Sequence, residues 1–264
     1  MPIDFHHRAN RLTYTGRRAG EDWARAVRAL VPTDGVRVVD VGCGGGVYCE
    51  AWLDLGAASV TGVDFSAAML SGARERLAGR PGVTFRQGGA EVTGLPDGCA
   101  DVVFQRALIH HLDDLTACFA EATRLLAPGG TLLVQDRTTE DVEHPGSPRH
   151  LRGYFFERFP HLLEFERARR PSSAEVEAAA RAAGFPRVRT LPLTEVRREY
   201  ADSQEVRADL LARTGRSILH ELSDAQLADL VDHVMARLPE HTPIHEADHW
   251  TLWAAAGPDA RVGG

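Results

Sequence analysis

The run Val36-Arg37-Val38-Val39-Asp40-Val41, followed at once by Gly42-Cys43-Gly44-Gly45-Gly46, constrains this chain more than any other stretch. A short β-branched run reads as a buried strand. Glycines crowded behind it let the backbone turn sharply and approach a ligand closely. The helix after the turn then aims its first N–H groups at whatever lies over it.

That unit recurs. Residues 59–64 read as a second strand, with Ser66 as the N-cap of a helix running through Leu77. Residues 83–86 and 101–104 are the third and fourth strands, and a helix spans about 114–126. Pro128-Gly129-Gly130 then turns into a fifth strand over 131–135. Strands alternating with helices at this spacing specify a parallel α/β sheet with helices on both faces. Ahead of it, Glu21–Leu30 reads as a short amphipathic helix with Trp23, Val27 and Leu30 on one side.

Past the fifth strand the rhythm breaks. Residues 137–170 carry Pro145, Pro148, Gly153 and Pro160 among the aromatics Tyr154, Phe155, Phe156 and Phe159. Ser172 and Glu175 form a capping box for an Ala-rich helix that Gly184 closes, and residues 188–193 resume as a strand. A helical insertion over about 195–238, with a second capping box at Ser223 and Gln226, precedes a last strand at 249–256. The expected organisation is one domain over 1–264. It comprises a lid segment (1–30), a core (31–138), cap insertions (139–171 and 195–240) and a final strand region (241–257).

Composition narrows the chemistry. All 30 basic residues are Arg, so a Walker A phosphate loop and Schiff-base chemistry, which need Lys, are excluded. A net charge of −7 without a basic block argues against nucleic acid. No long apolar run or signal-peptide core occurs, which points to a cytoplasmic protein with no membrane partner. The four cysteines form no CxxC pair and imply no disulfide framework. His241, His245 and His249 fall at helical spacing, but Pro243 interrupts them, so no metal site is expected.

The glycines follow G-x-G-x-G, and Val47 stands where a dinucleotide fingerprint wants its third Gly. Asp64 ends the second strand, placed to accept from ribose hydroxyls. These motifs, with Val63-Asp64-Phe65-Ser66-Ala67-Ala68-Met69-Leu70, Gly88-Gly89-Ala90-Glu91, Ala107-Leu108-Ile109-His110-His111-Leu112 and Leu126-Ala127-Pro128-Gly129-Gly130, resemble a known family. It is the small-molecule, ubiquinone/menaquinone-methyltransferase-like branch of the class I S-adenosyl-L-methionine (SAM)-dependent methyltransferases.

The resemblance implies a Rossmann-like α/β fold: a seven-stranded, mostly parallel sheet with its last strand antiparallel, helices on both faces and a cap built from the insertions. It implies SAM as cofactor and S-adenosyl-L-homocysteine as product. Gly42, Cys43 and Gly44 would lie against the methionine part of SAM, with Asp64 on the ribose. Phe65 and Met69 would pack against adenine, with Ala90 and Glu91 beside it. Gln105, with Arg106 as its neighbour, would face the amino-acid end, over which Tyr14 and Arg18 could close. The chain departs from the pattern at Gly89, where relatives usually place an Asp for the adenine amino group.

His110 and His111, at the end of the fourth strand, are the candidate catalytic bases, His110 preferred, since a hydroxyl, acid or carbon acceptor must lose a proton. His150, Arg152 and Tyr154 are candidate substrate contacts in the first insertion. Each has a plainer alternative: a packed or capping histidine, a solvated loop, or core packing for Phe65 and Met69. Competing functions are an NAD-type oxidoreductase on the same kind of sheet, or a SAM-binding protein with a non-methylating or regulatory role. Neither the acceptor nor the oligomeric state is legible at this level.

Overall fold

The computed structural model describes residues 19–213 and 215–257. Its sheet has seven strands, in the order β3 (Val83–Gln87), β2 (Ser59–Asp64), β1 (Arg37–Val41), β4 (Ala100–Arg106), β5 (Leu126–Asp136), β7 (Ile244–Ala256), β6 (Arg187–Tyr200). In chain order the core elements are α1 (Glu21–Leu30), β1 (Arg37–Val41), α2 (Val47–Asp54), β2 (Ser59–Asp64), α3 (Ala67–Arg76), β3 (Val83–Gln87), β4 (Ala100–Arg106), α4 (Leu115–Leu125) and β5 (Leu126–Asp136). They continue with α5 (Thr139–Val142), α6 (Leu151–Arg158), α7 (Pro160–Arg169), α8 (Ser173–Ala182), β6 (Arg187–Tyr200), α9 (Ser203–Leu211), α10 (Asp224–Met235) and β7 (Ile244–Ala256). Strands β1 to β5 pair in parallel, and β7 runs antiparallel to β5 with Thr131 opposite Ala256. This is the mostly parallel α/β sheet expected from the strand–helix alternation, with the antiparallel last strand that the resemblance implies.

Two compact units make up the chain. Among the described residues the core unit holds 19–136, 171–193 and 250–257, and its sheet is buried on both faces. Alternation along the strands sends Val38, Val60, Val102, Phe104 and Leu133 to one face and Val39, Val41, Val63, Val103 and Leu132 to the other. On the first face Trp23 and Trp52 pack edge-on to Phe104, with ring centroids 6.0 and 5.7 Å away. Each such pair adds about 0.5–1.5 kcal/mol beyond the area it buries. Trp23 also donates from Nε1 to Gln135 Oε1 at 3.0 Å, tying α1 to the end of β5.

The other unit holds residues 137–170 and 194–249 around its own apolar cluster, which includes Leu151, Phe155, Leu162, Val206, Leu219 and Leu230. A buried ionic network supports it. Arg216 donates to Glu246 at 2.5 Å and to Tyr200 Oη at 3.0 Å, and it also pairs with Asp209. We call this unit the cap.

Several element boundaries differ from the sequence expectation. β5 begins at Leu126 because a register shift between Ala100 and Val102 absorbs the Pro128-Gly129-Gly130 turn into the strand. Residues 139–169 hold three helices where the sequence shows only broken rhythm. β6 runs on to Tyr200, so the insertion expected from residue 195 starts after the strand. β7 starts at Ile244, placing His245 and His249 on a strand instead of a helix face. Among the described residues no helix is long and apolar enough to cross a membrane.

Candidate active site

The glycine turn joins the carboxyl ends of β1 and β2. The N–H groups of Gly42 and Cys43 both donate to the Val63 carbonyl, at 2.7 and 3.0 Å. Gly42 has φ 75°, and a Cβ there would stand 3.0 Å from Leu108 Cδ1. Gly44 has φ 51°, and its Cβ would stand 3.3 Å from Met69 Cε. Both positions therefore require glycine for conformation and for space. Gly46, at φ 77°, caps α2.

Asp64 is buried at the end of β2, and backbone donors aim its carboxylate. Oδ2 accepts from Gly44 N–H and Oδ1 from Ser66 N–H, each at 2.9 Å. Ser66 in turn caps α3 by accepting from Met69 N–H at 3.3 Å. Asp40, one strand over, lies under the same turn. Burial pushes its pKa up to about 7, Asp64 adds to the rise, and a bond from the Cys49 thiol at 3.2 Å and the charge of Arg106 only partly offset it. Asp40 stands within the glycine motif, but nothing in the sequence alone marks it as a site residue.

Around this loop the side chains separate by exposure. Phe65 is 49% exposed directly after β2, whereas Met69 is buried against Gly44. Ala90 is half-buried and Glu91 exposed in the loop after β3. At the unusual Gly89 the backbone N–H donates to Val92 O at 3.1 Å. Cys43 is buried, and its thiol is raised, not lowered as a helix N-terminus alone would have it. The bond with Cys49 favours the thiolate, but burial and the charges of Asp40 and Asp64 outweigh that.

Gln105 and Arg106 leave β4 on opposite faces. Gln105 points to α4, donating from Nε2 to Cys118 Sγ at 3.3 Å, while its Oε1 is buried without a donor among the described residues. Arg106 lies between the rings of Tyr48 and Trp250, 4.3 and 4.2 Å from their centroids. Tyr14 and Arg18 lie outside the described residues.

After Arg106 the chain enters a strained corner. Ala107, a non-glycine residue, adopts φ 50°, and its N–H donates to Gln135 O at 2.9 Å. The corner delivers Ile109–His111 as a 3-10 turn at the carboxyl edge of the sheet. There His110 meets Asp136, the last residue of β5. His110 Nδ1–H donates to both carboxylate oxygens, at 2.9 and 3.0 Å. Asp136 is fully buried, so an acceptor-only carboxylate fixes the proton on Nδ1 and leaves the imidazole lone pair on Nε2. The His111 ring packs against His110 at a tilt of 43°, with centroids 4.0 Å apart. Chemically, this is a base with an orienting carboxylate. Sequence reasoning singled out both histidines and missed Asp136.

In the cap, His150 is buried and donates from Nδ1 to Pro145 O at 3.3 Å. Arg152 stands in the first turn of α6, 3.5 Å from Glu166. Tyr154 packs into the cap's apolar cluster. Among the described residues, no group of three His, Cys, Asp or Glu side chains could hold a metal ion.

Residues 39–134 match the family model described as Methyltransferase domain. The chain is 32% identical over 125 residues to a ubiquinone biosynthesis O-methyltransferase of Chelativorans sp., covering 47% of this chain and 49% of that one. It is 34% identical over 105 residues to a malonyl-[acyl-carrier protein] O-methyltransferase of Pectobacterium atrosepticum, covering 39% and 40%. The chain thus spans about half the length, or less, of these curated relatives. Among solved structures it resembles phosphoethanolamine N-methyltransferase 2 of Haemonchus contortus in complex with S-adenosyl-L-methionine, with TM-score 0.61, 20% identity, and 97% of this chain and 60% of that one covered. An S-adenosylmethionine-dependent methyltransferase of Mesorhizobium loti gives TM-score 0.51 at 18% identity, covering 90% and 98%. At these identities the structures speak to the fold alone.

Proposed function

We propose that this chain, whose residues 39–134 match the Methyltransferase domain model, is a class I SAM-dependent methyltransferase that transfers a methyl group to a small-molecule acceptor bearing an ionisable O–H, N–H or C–H. The cofactor is SAM, which supplies an electrophilic methyl on a sulfonium and becomes S-adenosyl-L-homocysteine.

The residues present fit that cofactor. At Gly42 and Gly44 the turn takes positive φ with little room for a Cβ, beside a carboxylate aimed by two backbone donors. Gln105 Oε1 adds a buried acceptor suited to an ammonium group. On this reading Gly42, Cys43 and Gly44 lie along the methionine part, Asp64 takes the ribose hydroxyls, and Phe65, Met69, Ala90 and Glu91 frame the adenine.

The observation that carries the transfer reading is the His110–Asp136 pair. Methyl transfer is an in-line displacement, and much of its acceleration comes from alignment. Where the acceptor must also lose a proton, a neutral imidazole with Nε2 as acceptor is suited to take it, and a buried Asp136 stabilises the imidazolium so formed. His111 would buttress the His110 ring. A small acceptor also agrees with the chain's negative charge, which disfavours nucleic acid, and with a cytoplasmic setting.

The test is turnover of SAM to S-adenosylhomocysteine with a panel of phenols, amines and organic acids, comparing the wild-type chain with His110→Ala. Acceptor-dependent product that falls by about 100-fold or more in the variant supports the reading. Product formed equally well by both removes His110 from the chemistry.

A further inference from the structure

We propose that Arg152 anchors the carboxylate of a small organic acid inside the cap unit.

The argument starts from a buried cation that is short of counter-charge. The Arg152 side chain is only 11% exposed, and its nearest carboxylate is Glu166, at 3.5 Å. Glu166 is already engaged: Oε2 accepts from Arg170 Nε at 2.5 Å, and Oε1 accepts from Arg169. Three guanidinium groups therefore share one carboxylate. Asp248, the other carboxylate acting on Arg152, is held by Arg137 at 2.5 Å. Arg152 makes the longest of the three contacts to the Glu166 carboxylate. Burial lowers its pKa to about 9, and the charges of Arg137 and Arg170 add to the fall while Glu166 and Asp248 oppose it.

A planar, five-donor fork whose nearest carboxylate is distant and shared keeps donors to give to an anion. The geometry it matches best is a bidentate carboxylate. A purely structural arginine would be expected to resemble Arg216 in the same unit, which holds two carboxylates and a tyrosine hydroxyl.

The surroundings favour an organic acid over a bare inorganic anion. His144 and His249 stack at 3.9 Å, and the His150 ring lies 5.8 and 5.4 Å from them. His150 gives its Nδ1–H to Pro145 O, and burial, with the charge of Arg152 adding to it, pushes its pKa down to about 4. That ring is neutral at pH 7 and presents Nε2 as an acceptor. His249, near Thr194 Oγ1 at 3.2 Å, is also lowered by burial. Two imidazoles held toward neutrality thus stand close to a cation. They add flat, polarisable surface and acceptor sites for a hydroxyl, as a carbon-framed acid would use.

Isothermal titration of the full chain with benzoate, 4-hydroxybenzoate and acetate, with benzamide as the neutral isostere, tests the proposal. S-adenosylhomocysteine is titrated separately. The expected result is saturable binding of at least one carboxylate, with benzamide weaker by about tenfold or more. Arg152→Gln should lose that carboxylate by a similar factor and keep its S-adenosylhomocysteine affinity. Arg152→Lys, which keeps the charge and loses the fork, should bind it with intermediate affinity. Removing an under-compensated cation should also leave the melting temperature of ligand-free Arg152→Met unchanged, or raised by ~2–4 °C.

Carboxylate binding that is equal in Arg152→Gln and wild type, or no preference for any carboxylate over benzamide, overturns the proposal. So does a melting temperature lowered by several degrees in Arg152→Met with carboxylate affinity intact, since Arg152 would then serve only to neutralise Glu166. If S-adenosylhomocysteine fails to bind while Arg152-dependent carboxylate binding persists, the anion site stands and the methyltransferase reading falls.

Discussion

His110 Nδ1 lies 2.9 and 3.0 Å from the two carboxylate oxygens of Asp136, and Asp136 is fully buried. The pair exists because β4 and β5 lie side by side with Arg106 opposite Gln135, which brings the turn after β4 and the last residue of β5 to one corner. A carboxylate with no access to water and a histidine to hold settles the imidazole tautomer. Asp136→Asn should therefore keep the fold and the affinity for S-adenosylhomocysteine while kcat falls by about 10–1,000-fold, through a wrong tautomer and a less stabilised imidazolium. Steady-state kinetics alongside titration of the cofactor product checks this; an unchanged kcat makes Asp136 structural.

Gly44 offers a second prediction. Gly44→Ala places a Cβ 3.3 Å from Met69 Cε at a residue with φ 51°. It should cost about 1 kcal/mol of stability and weaken S-adenosylhomocysteine binding by about tenfold or more. Gly79→Ala is the control, because Gly79 has φ 78° and open space around its Cβ position. It should show the conformational cost in thermal melts without the loss of affinity.

Asp40 predicts a pH dependence. Its pKa is raised in the folded chain from 3.8 to about 7, chiefly by burial. Below about pH 4 the carboxyl is protonated in both states. Between about pH 4 and 7 the unfolded chain binds fewer protons than the folded one, so stability falls as pH rises through this window. Asp40→Asn should remove that contribution, on the order of 2–4 kcal/mol. Urea unfolding at pH 5 and pH 8 should then show wild type losing stability relative to the variant at the higher pH.

The cap network predicts a purely structural effect. Arg216→Leu leaves Glu246 and Asp209 buried with less compensation, because Arg216 bonds to both. The loss should be about 3–5 kcal/mol in chemical denaturation. A change below about 1 kcal/mol would mean that Arg197 and Arg198, which also reach these carboxylates, carry the network.

Much of the fold is legible in local sequence because its signals are local. Ser66, Ser172 and Ser223 cap helices in the structure as their spacing to Met69, Glu175 and Gln226 implies. The strand–glycine–helix unit reads as α/β without knowledge of any neighbour. The missed elements depend on partners far along the chain. Residues 194–200 are rich in charge and read as the start of a helical insertion, yet they extend β6, where Arg197 pairs with Glu246 of β7 at 2.9 Å. Helices α6 and α7 lack a clean apolar stripe because cap residues such as Glu166 and Arg170 bury ions beside Leu151 and Leu162. Asp136 shows nothing in its own neighbourhood that sets it apart from any acidic residue after a strand. Only the register of β4 against β5 marks it.

The central claim is that SAM occupies the glycine turn between β1 and α2, with Asp64 on its ribose. Isothermal titration of the chain and of Asp64→Ala with SAM, S-adenosylhomocysteine and NAD tests it most directly. The account predicts micromolar binding of the SAM pair, weakened in the variant by about 1–3 kcal/mol, and no binding of NAD. Binding of NAD alone, or equal affinity of Asp64→Ala and wild type for S-adenosylhomocysteine, would contradict it.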